Sequence, residues 1–266
     1  MIDLLLGHGV DEPITISALE FDVLWEHLNL GEMPLVVKVP SPGLTSQERA
    51  VFKARAWEGL EHRGLGRQVD LNPRLVRLIR LMDRPERELD GRMWLGRSVR
   101  MLVAATGEFG VLAVLEDDRL TLSEADLIGL PRFAVSVLPQ SPPGPGNSVT
   151  LRTANFEAAA RQATTPKEFE AALRRRGIRG DDATTLMSMV GDVLRQGQFG
   201  AAARDRLGKR VRAARVVSFF DTEDGRYVQI RRNQSGSEAW STISPADHRR
   251  MLQHVTALHE EAGKVN

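Results

Sequence analysis

Residues 99–122 read VRMLVAATGEFGVLAVLEDDRLTL, and this stretch decides the class of fold. It contains two apolar runs, 99–106 and 109–115, with Gly107 between them. Valine and other large apolar side chains favour strands, and a glycine between two such runs is typical of a turn. The pattern therefore predicts an antiparallel β-hairpin.

Further elements are predicted on both sides of this hairpin. After it, residues 119–122 are expected to add a strand, and Ser123 with Asp126 is expected to cap a helix that ends near Leu138. Before it, residues 14–16 suggest a short strand. Three helices are then predicted from their first residues, which are Ser17 with Glu20, Thr45 with Glu48, and Asn72 with Pro73.

The same order of elements recurs in the second half of the chain. Asp224-Gly225 marks a second hairpin, because this pair supplies the positive backbone angles of a tight turn. The predicted order is a short strand at 149–151, three helices, a hairpin of 211–221 and 226–232, a strand at 239–243 and a helix capped by Ser244, Pro245 and Asp247.

One segment separates the two repeats. Residues 141–148 read SPPGPGNS, and such a run of proline and glycine cannot continue a helix or a central strand. We interpret it as a linker between an N-terminal half, 1–140, and a C-terminal half, 149–266. The predicted fold is α+β, a single domain of 1–266 whose pseudo-symmetric halves share a central antiparallel sheet flanked by helical bundles. Two unjoined domains remain the alternative.

The composition is that of an ordinary folded protein. Apolar residues make up 42% and charged residues 27% of the 266 residues, which argues against a disordered chain. No segment approaches the ~20 uncharged apolar residues that span a bilayer, and the first residues lack an export signal, so no membrane partner is expected. The chain contains no cysteine, which excludes disulfides and thiolate chemistry and suggests a cytoplasmic location.

Sequence motifs for catalysis are absent. The histidines form no HExxH pattern, and the chain has no phosphate-binding loop, no dinucleotide-binding glycine motif and no GxSxG nucleophile motif. The adjacent acids Asp117-Asp118 and Asp181-Asp182 fit a turn and a helix start better than a catalytic acid/base pair. We therefore predict a protein without enzymatic activity, cofactor or metal.

A basic strip supports one alternative, a nucleic-acid-binding module. The whole chain carries 36 basic and 35 acidic residues, so such a partner would need a local patch. Charges that keep an edge strand from aggregating explain the strip as well, and no aromatic residue interleaves with it, so no nucleic acid is expected. The strip consists of Arg204, Arg206, Lys209, Arg210, Arg212 and Arg215.

The third predicted helix of the C-terminal half has apolar residues on more than one stripe, among them Met187, Val190 and Leu194. A wide apolar face is buried on two sides, either within the fold or against a partner. Flexible methionine side chains would suit a partner surface. Met93 and Trp94, which lie between expected strands, pose the same alternative.

Three longer segments carry a resemblance to a known family. They are ALEFDVLWEHLNLGEMPLVVKVPSPGLTSQER (18–49), GQFGAAARDRLGKRVRAARV (197–216) and FFDTEDGRYVQIRRNQSGSEAWSTISPADHRRM (219–251). Together with the order of elements along nearly the whole chain, they resemble the EspG family of actinobacterial type VII (ESX) secretion. The resemblance rests on several matches in register rather than on one motif.

The resemblance implies a binding function. EspG-family members are cytosolic chaperones that hold the hydrophobic tip of the PPE protein in a PE/PPE heterodimer; whether the chaperone forms a homodimer is left open. Phe199 and Trp94 are expected to be exposed anchors of the partner-binding surface. By position that surface comprises Met93 and Trp94 in a loop, Met187, Val190 and Leu194 on a helix, Gln198 and Phe199 in a turn, and Gln229, Arg231 and Gln234 near the hairpin.

Overall fold

The structure is a computed structural model that describes residues 12–232 and 238–264. Within these residues the helices are α1 (Ala18–His27), α2 (Ser46–His62), α3 (Pro73–Arg80), α4 (Leu130–Ser136), α5 (Thr153–Gln162), α6 (Pro166–Arg175), α7 (Gly180–Met189) and α8 (His248–Gly263). The strands are β1 (Ile14–Ser17), β2 (Gly66–Arg67), β3 (Asp70–Leu71), β4 (Arg87–Trp94), β5 (Ser98–Thr106), β6 (Phe109–Glu116), β7 (Arg119–Asp126), β8 (Val149–Arg152), β9 (Arg195–Arg204), β10 (Arg210–Arg212), β11 (Val217–Thr222), β12 (Gly225–Arg232) and β13 (Trp240–Pro245).

Two compact units make up the described chain, and each has the same order of strands. The first unit contains the described residues up to Asp90 and Val99–Ala134, and the second contains Gly91–Ser98 and the described residues from Val135 onward. Hydrogen-bonded strands follow the order β1-β7-β6-β5-β4 in the first unit and β8-β13-β12-β11-β9-β4 in the second, with β10 beside β9. The predicted α+β fold with a large antiparallel sheet is confirmed. The single domain of 1–266 stays a prediction.

In the first unit, α1 to α3 share a core with the strands. The helix starts are as predicted: the Ser17 hydroxyl accepts the backbone N–H of Glu20, and the Glu20 carboxylate accepts the N–H of Ser17 at 2.6 Å. Thr45 caps α2 in the same way together with Glu48, and the Asn72 side-chain oxygen accepts the N–H groups of Arg74 and Leu75 at the start of α3. The core includes Phe21, Leu24, Leu75, Ile79, Leu102, Val111 and Leu120.

The hairpin predicted from residues 99–122 is confirmed as β5 and β6, which pair from Val99 with Glu116 to Thr106 with Phe109. The helix predicted to start at Ser123 is wrong. Residues 123–126 continue β7 because they pair with residues 109–112 of β6, which satisfies their backbone groups. Helix α4 begins only at Leu130.

In the second unit, two sets of helices pack against the strands. Helices α5, α6 and α7 share a core with β8, β12 and β13, and α8 lies against β9 and β11. The predicted tight turn joins β11 and β12, and Gly225 adopts a φ of +134° that suits glycine alone. Of the three predicted cap residues, Asp247 caps α8, since its carboxylate accepts the N–H of Arg250 at 2.7 Å. Ser244 and Pro245 instead belong to β13, so that part of the prediction is wrong.

The sequence prediction missed one strand at the same place in each unit. Strand β4 contains Met93 and Trp94, which therefore do not lie in a loop, and β9 contains Gln198 and Phe199, so the predicted turn there is wrong. Both strands carry glycine and charged residues, which are depleted in strands. Their hydrogen-bonded neighbours override this weak local preference. Helix α7 also ends at Met189, so Val190 and Leu194 lie beyond it.

The predicted linker, 141–148, is held against β12. The N–H of Arg226 donates to the carbonyl of Pro142 at 2.8 Å, and the N–H of Gly144 donates back to the carbonyl of Arg226 at 3.1 Å. The Tyr227 hydroxyl donates to the carbonyl of Pro145 at 3.1 Å. The proline-rich segment is thus fixed within the second unit by specific hydrogen bonds.

Candidate binding surface

The predicted site residues that the structure describes all lie in the second unit, on both faces of its strands. Residues that are directly paired on neighbouring strands point to the same face, and successive residues alternate between faces. Gln198 pairs with Ser218, which pairs with Gln229. Phe199 pairs with Val217 on the opposite face. Adjacent residues of β9 therefore belong to different environments.

Phe199 lies on the face that we call the buried face. Its side chain is completely buried, and its ring lies 6.1 Å from that of Phe219. Helix α8 packs against β9 and β11 and contributes buried side chains of its own, including Met251 and Val255. The expectation that Phe199 is exposed in the free protein is wrong, because α8 supplies its covering layer.

Met93 also lies on the buried face and is only 6% exposed. It sits beside Gly197, where a Cβ atom would come within 2.7 Å of the Met93 Cγ and 2.9 Å of the Arg92 carbonyl oxygen. Real Cβ atoms do not approach so closely. Gly197 is therefore required for close packing of β9 against β4, and Met93 is a packing residue.

Trp94 follows Met93 and so points to the other face, where it is 52% exposed. On this side Arg92 of β4 and Gln196 and Gln198 of β9 are exposed as well. We call the uncovered part the open surface. It is mainly polar around one large aromatic side chain, and it consists of Arg92, Trp94, Gln196, Gln198, Ser218, Gln229 and Arg231.

The edge of the open surface is formed where α7 ends. Beneath α5 to α7, the same side of the strands is covered by an apolar core that includes Tyr227 and Ile243. Val190 packs against that core but remains partly exposed. Met187 of α7 is also partly exposed. Leu194 is exposed, and its N–H donates to the Asp221 carbonyl at 2.8 Å. Partly exposed apolar residues thus border the polar surface on one side.

Polar contacts hold some open-surface side chains in place. The Gln229 side-chain amide donates to the Ser241 hydroxyl at 3.5 Å, and the Arg231 guanidinium lies 3.2 Å from the Glu157 carboxylate. Both members of the second pair are about half exposed, so it is a weak surface ion pair. Gln234, which was also predicted to belong to the site, lies outside the described residues.

A buried ion pair fixes the hairpin below this surface. The Arg226 guanidinium donates two hydrogen bonds to the Asp221 carboxylate, at 2.7 and 2.9 Å, and both side chains are almost completely buried. Arg226 also donates to the carbonyl of Pro139 and lies over the ring of Phe219. Removing one charge of such a pair would leave the other buried without its partner. The pair therefore makes the hairpin rigid rather than reactive.

Burial shifts the pKa of His248, His254 and Tyr227 in this unit. Burial and the nearby Arg226 lower the pKa of His248, and burial and Arg215 lower that of His254. Burial raises the pKa of Tyr227, which points into the linker. Across residues 12–232 and 238–264, no group of three His, Asp or Glu side chains could hold a metal ion. Nor is any helix in those ranges long and apolar enough to cross a membrane.

The chain is similar to known proteins over most of its length. The model of the EspG family matches residues 17–257. The chain belongs to the EspG family. It is 24% identical over 249 residues to the ESX-1 secretion-associated protein EspG1 of Mycobacterium tuberculosis, a match that covers 90% of this chain and 83% of that protein.

A solved EspG-family structure has the same fold. It is the type VII secretion system chaperone EspG5 of Mycobacterium tuberculosis, in complex with the PE25-PPE41 dimer. The TM-score is 0.71 at 16% identity, and the match covers 94% of this chain and 96% of EspG5. The family and the fold that the resemblance predicted are confirmed.

Arg92, Gln196 and Ser218 belong to the open surface, and sequence reasoning missed all three. The signal was present in the alternation of Gln196, Gly197, Gln198 and Phe199, which has the period of a strand. The alternation was hidden because the segment follows a helix and contains two glycines.

Proposed function

We propose that this protein is a specific chaperone of the type VII (ESX) secretion system, which binds PE/PPE heterodimers through the PPE subunit and keeps them soluble in the cytoplasm. Membership of the EspG family supports this, and the solved relative with the same fold is a chaperone that carries a PE-PPE dimer. A secretion substrate with an exposed apolar tip would self-associate, and a protein surface that covers the tip would prevent this.

The open surface is the proposed binding site, and its mixture of side chains carries that part of the proposal. Trp94 supplies a large, exposed and apolar anchor on β4, at one side of this surface. Gln198, Gln229 and Arg231 supply donors and acceptors for the polar rim, and Leu194, Val190 and Met187 supply the apolar border. Interfaces commonly combine a few aromatic or arginine anchors with such a rim.

Binding without catalysis is part of the proposal. The polar side chains of the open surface carry amides, guanidinium groups and the Ser218 hydroxyl. These groups recognise a partner by hydrogen bonds. Met93 and Phe199 act from beneath, by packing the strands that carry the surface.

Co-purification with PE/PPE pairs of the source organism tests the proposal. The tagged protein is expected to retain one or a few pairs, and Trp94→Asp is expected to abolish retention without lowering the melting temperature. Trp240→Asp is the matched control, because Trp240 is 42% exposed but points away from the open surface. Retention of no pair by the unchanged protein would refute the function. Equal loss in both variants would refute the site.

A further inference from the structure

A short basic hairpin extends beyond the part of β9 that pairs with β11. It is formed by the end of β9, the turn at 205–209, and β10. β11 pairs with β9 only from residue 195 to residue 199, whereas β10 pairs with residues 202–204. We call residues 204–212 the basic hairpin.

The basic hairpin concentrates positive charge on one face. Arg204 and Arg210 are directly paired across the two strands, so their side chains leave the same face, and Arg212 follows two residues later. Like charges in this position destabilise a strand pair. Within the basic hairpin, residues 204–212, five basic residues and one acidic residue give a formal charge of +4, although the whole chain carries only +1.

The turn of the hairpin is held in a fixed conformation. The Asp205 carboxylate accepts the N–H groups of Leu207 and Lys209, both at 2.9 Å, and the Arg204 guanidinium donates to the Gly208 carbonyl at 2.6 Å. The one acidic side chain is therefore engaged inside the turn. At its apex Leu207 is 93% exposed, with the exposed Arg206 and Lys209 close to it in the chain.

An apolar side chain held at the apex of a cationic hairpin has the chemistry of a contact with anionic lipid. Lysine and arginine are attracted to negatively charged headgroups, while a leucine inserts below them. A nucleic-acid backbone would use the charges but not the leucine, and residues 200–216 contain no aromatic side chain for stacking on bases. An acidic patch on a protein would also attract the basic residues, but it would not need an exposed leucine at the apex of the hairpin.

We propose that the basic hairpin docks this protein reversibly on an anionic membrane surface, with Leu207 inserted and Arg206, Lys209, Arg210 and Arg212 at the headgroups. This contact is peripheral and needs no spanning helix. It revises the expectation that the protein has no membrane partner. It is independent of the proposed chaperone function, because it uses different residues.

Vesicle sedimentation of the purified full chain tests the proposal. Binding is expected to vesicles of phosphatidylcholine mixed with phosphatidylglycerol and not to phosphatidylcholine alone, and to weaken as salt is raised. Each basic residue near such a surface contributes about fivefold to binding, so Arg206→Gln with Lys209→Gln is expected to weaken it about 25-fold. Leu207→Ser is expected to weaken it several-fold with an unchanged salt dependence.

A control variant distinguishes binding by the basic hairpin from binding by exposed charges elsewhere on the protein. Arg55→Gln with Arg249→Gln removes the same number of exposed charges elsewhere, and it is expected to bind as the unchanged protein does. No preference for anionic vesicles, or an equal loss in this control, would overturn the proposal. The proposal would also be overturned if the protein bound a DNA or RNA duplex, or polyglutamate, more tightly than anionic vesicles and the Leu207→Ser substitution left this binding unchanged. Thermal unfolding of each variant confirms that it is folded.

Discussion

The two faces of β9 differ in chemistry although their residues alternate along one short strand. Phe199 and Gly197 face a layer covered by α8, while Gln196 and Gln198 face the open surface. On the covered side a side chain is selected by the volume that it fills, and on the open side by the hydrogen bonds that it offers to a partner. Residues adjacent in sequence should therefore fail in different ways when they are replaced.

The largest effect is expected on the covered side. Phe199→Ala should lower the free energy of unfolding by ~3–5 kcal/mol, because it leaves a cavity beneath α8. Gln198→Ala, one residue away on the open surface, should change it by less than about 0.5 kcal/mol. Chemical denaturation of both variants measures the difference. Similar losses in the two variants would mean that the faces are not distinct.

Gly197 tests whether the covered side of β9 is packed too closely to accept an added methyl group. A methyl group there would meet the Met93 side chain and the Arg92 carbonyl oxygen, so Gly197→Ala should cost ~1–3 kcal/mol of unfolding free energy. Gln196→Ala is the control on the open surface and should be nearly neutral. A neutral Gly197→Ala would show that β4 and β9 are packed less closely than the structure shows.

Gln198 tests whether the open side of β9 contributes to binding of the partner rather than to stability. Losing one amide hydrogen bond at the interface should weaken the complex with the cognate PE/PPE dimer by ~0.5–1.5 kcal/mol, while the melting temperature stays unchanged. Calorimetric titration measures the affinity. Unchanged affinity would place Gln198 outside the interface.

The smallest effect concerns pH and belongs to the covered side. The pKa of His248, the first residue of α8, is lowered by burial and by Arg226, so the folded protein favours the neutral imidazole. The unfolded chain then binds the proton first, and stability should fall as the pH drops below about 6.5 towards the lowered pKa. Denaturation between neutral and acidic pH should show a shallower fall for His248→Gln.

His254 is a second residue that is expected to contribute to this pH dependence. Its pKa is lowered as well, by burial and by Arg215, so it contributes in the same direction. A variant without both histidines should lose more of the pH dependence than either single variant. An unchanged pH dependence in that double variant would show that neither imidazole is held neutral by the fold. The open surface carries no histidine, so its variants should follow the unchanged protein.

Local signals in the sequence determined the helix starts and the turns. Ser17 with Glu20, Thr45 and Asp247 cap the helices that they were predicted to cap, and Asp224-Gly225 forms its turn. Each of these features joins atoms that are only a few residues apart, so a short window of sequence contains all the interacting groups. The order of elements, which repeats in the two halves, could be predicted from the sequence for the same reason.

The tertiary structure alone decided where β4 and β9 lie and which of their faces is covered. Their sequences are weak strand formers, and they become strands because neighbouring strands, distant in the chain, supply hydrogen-bonding partners. The sequence placed Phe199 and Trp94 together as exposed anchors. Helix α8, about fifty residues after Phe199 in the chain, covers Phe199, whereas Trp94 is 52% exposed. Burial depends on which distant element packs against a face, and a strand's own alternation shows only that its two faces differ.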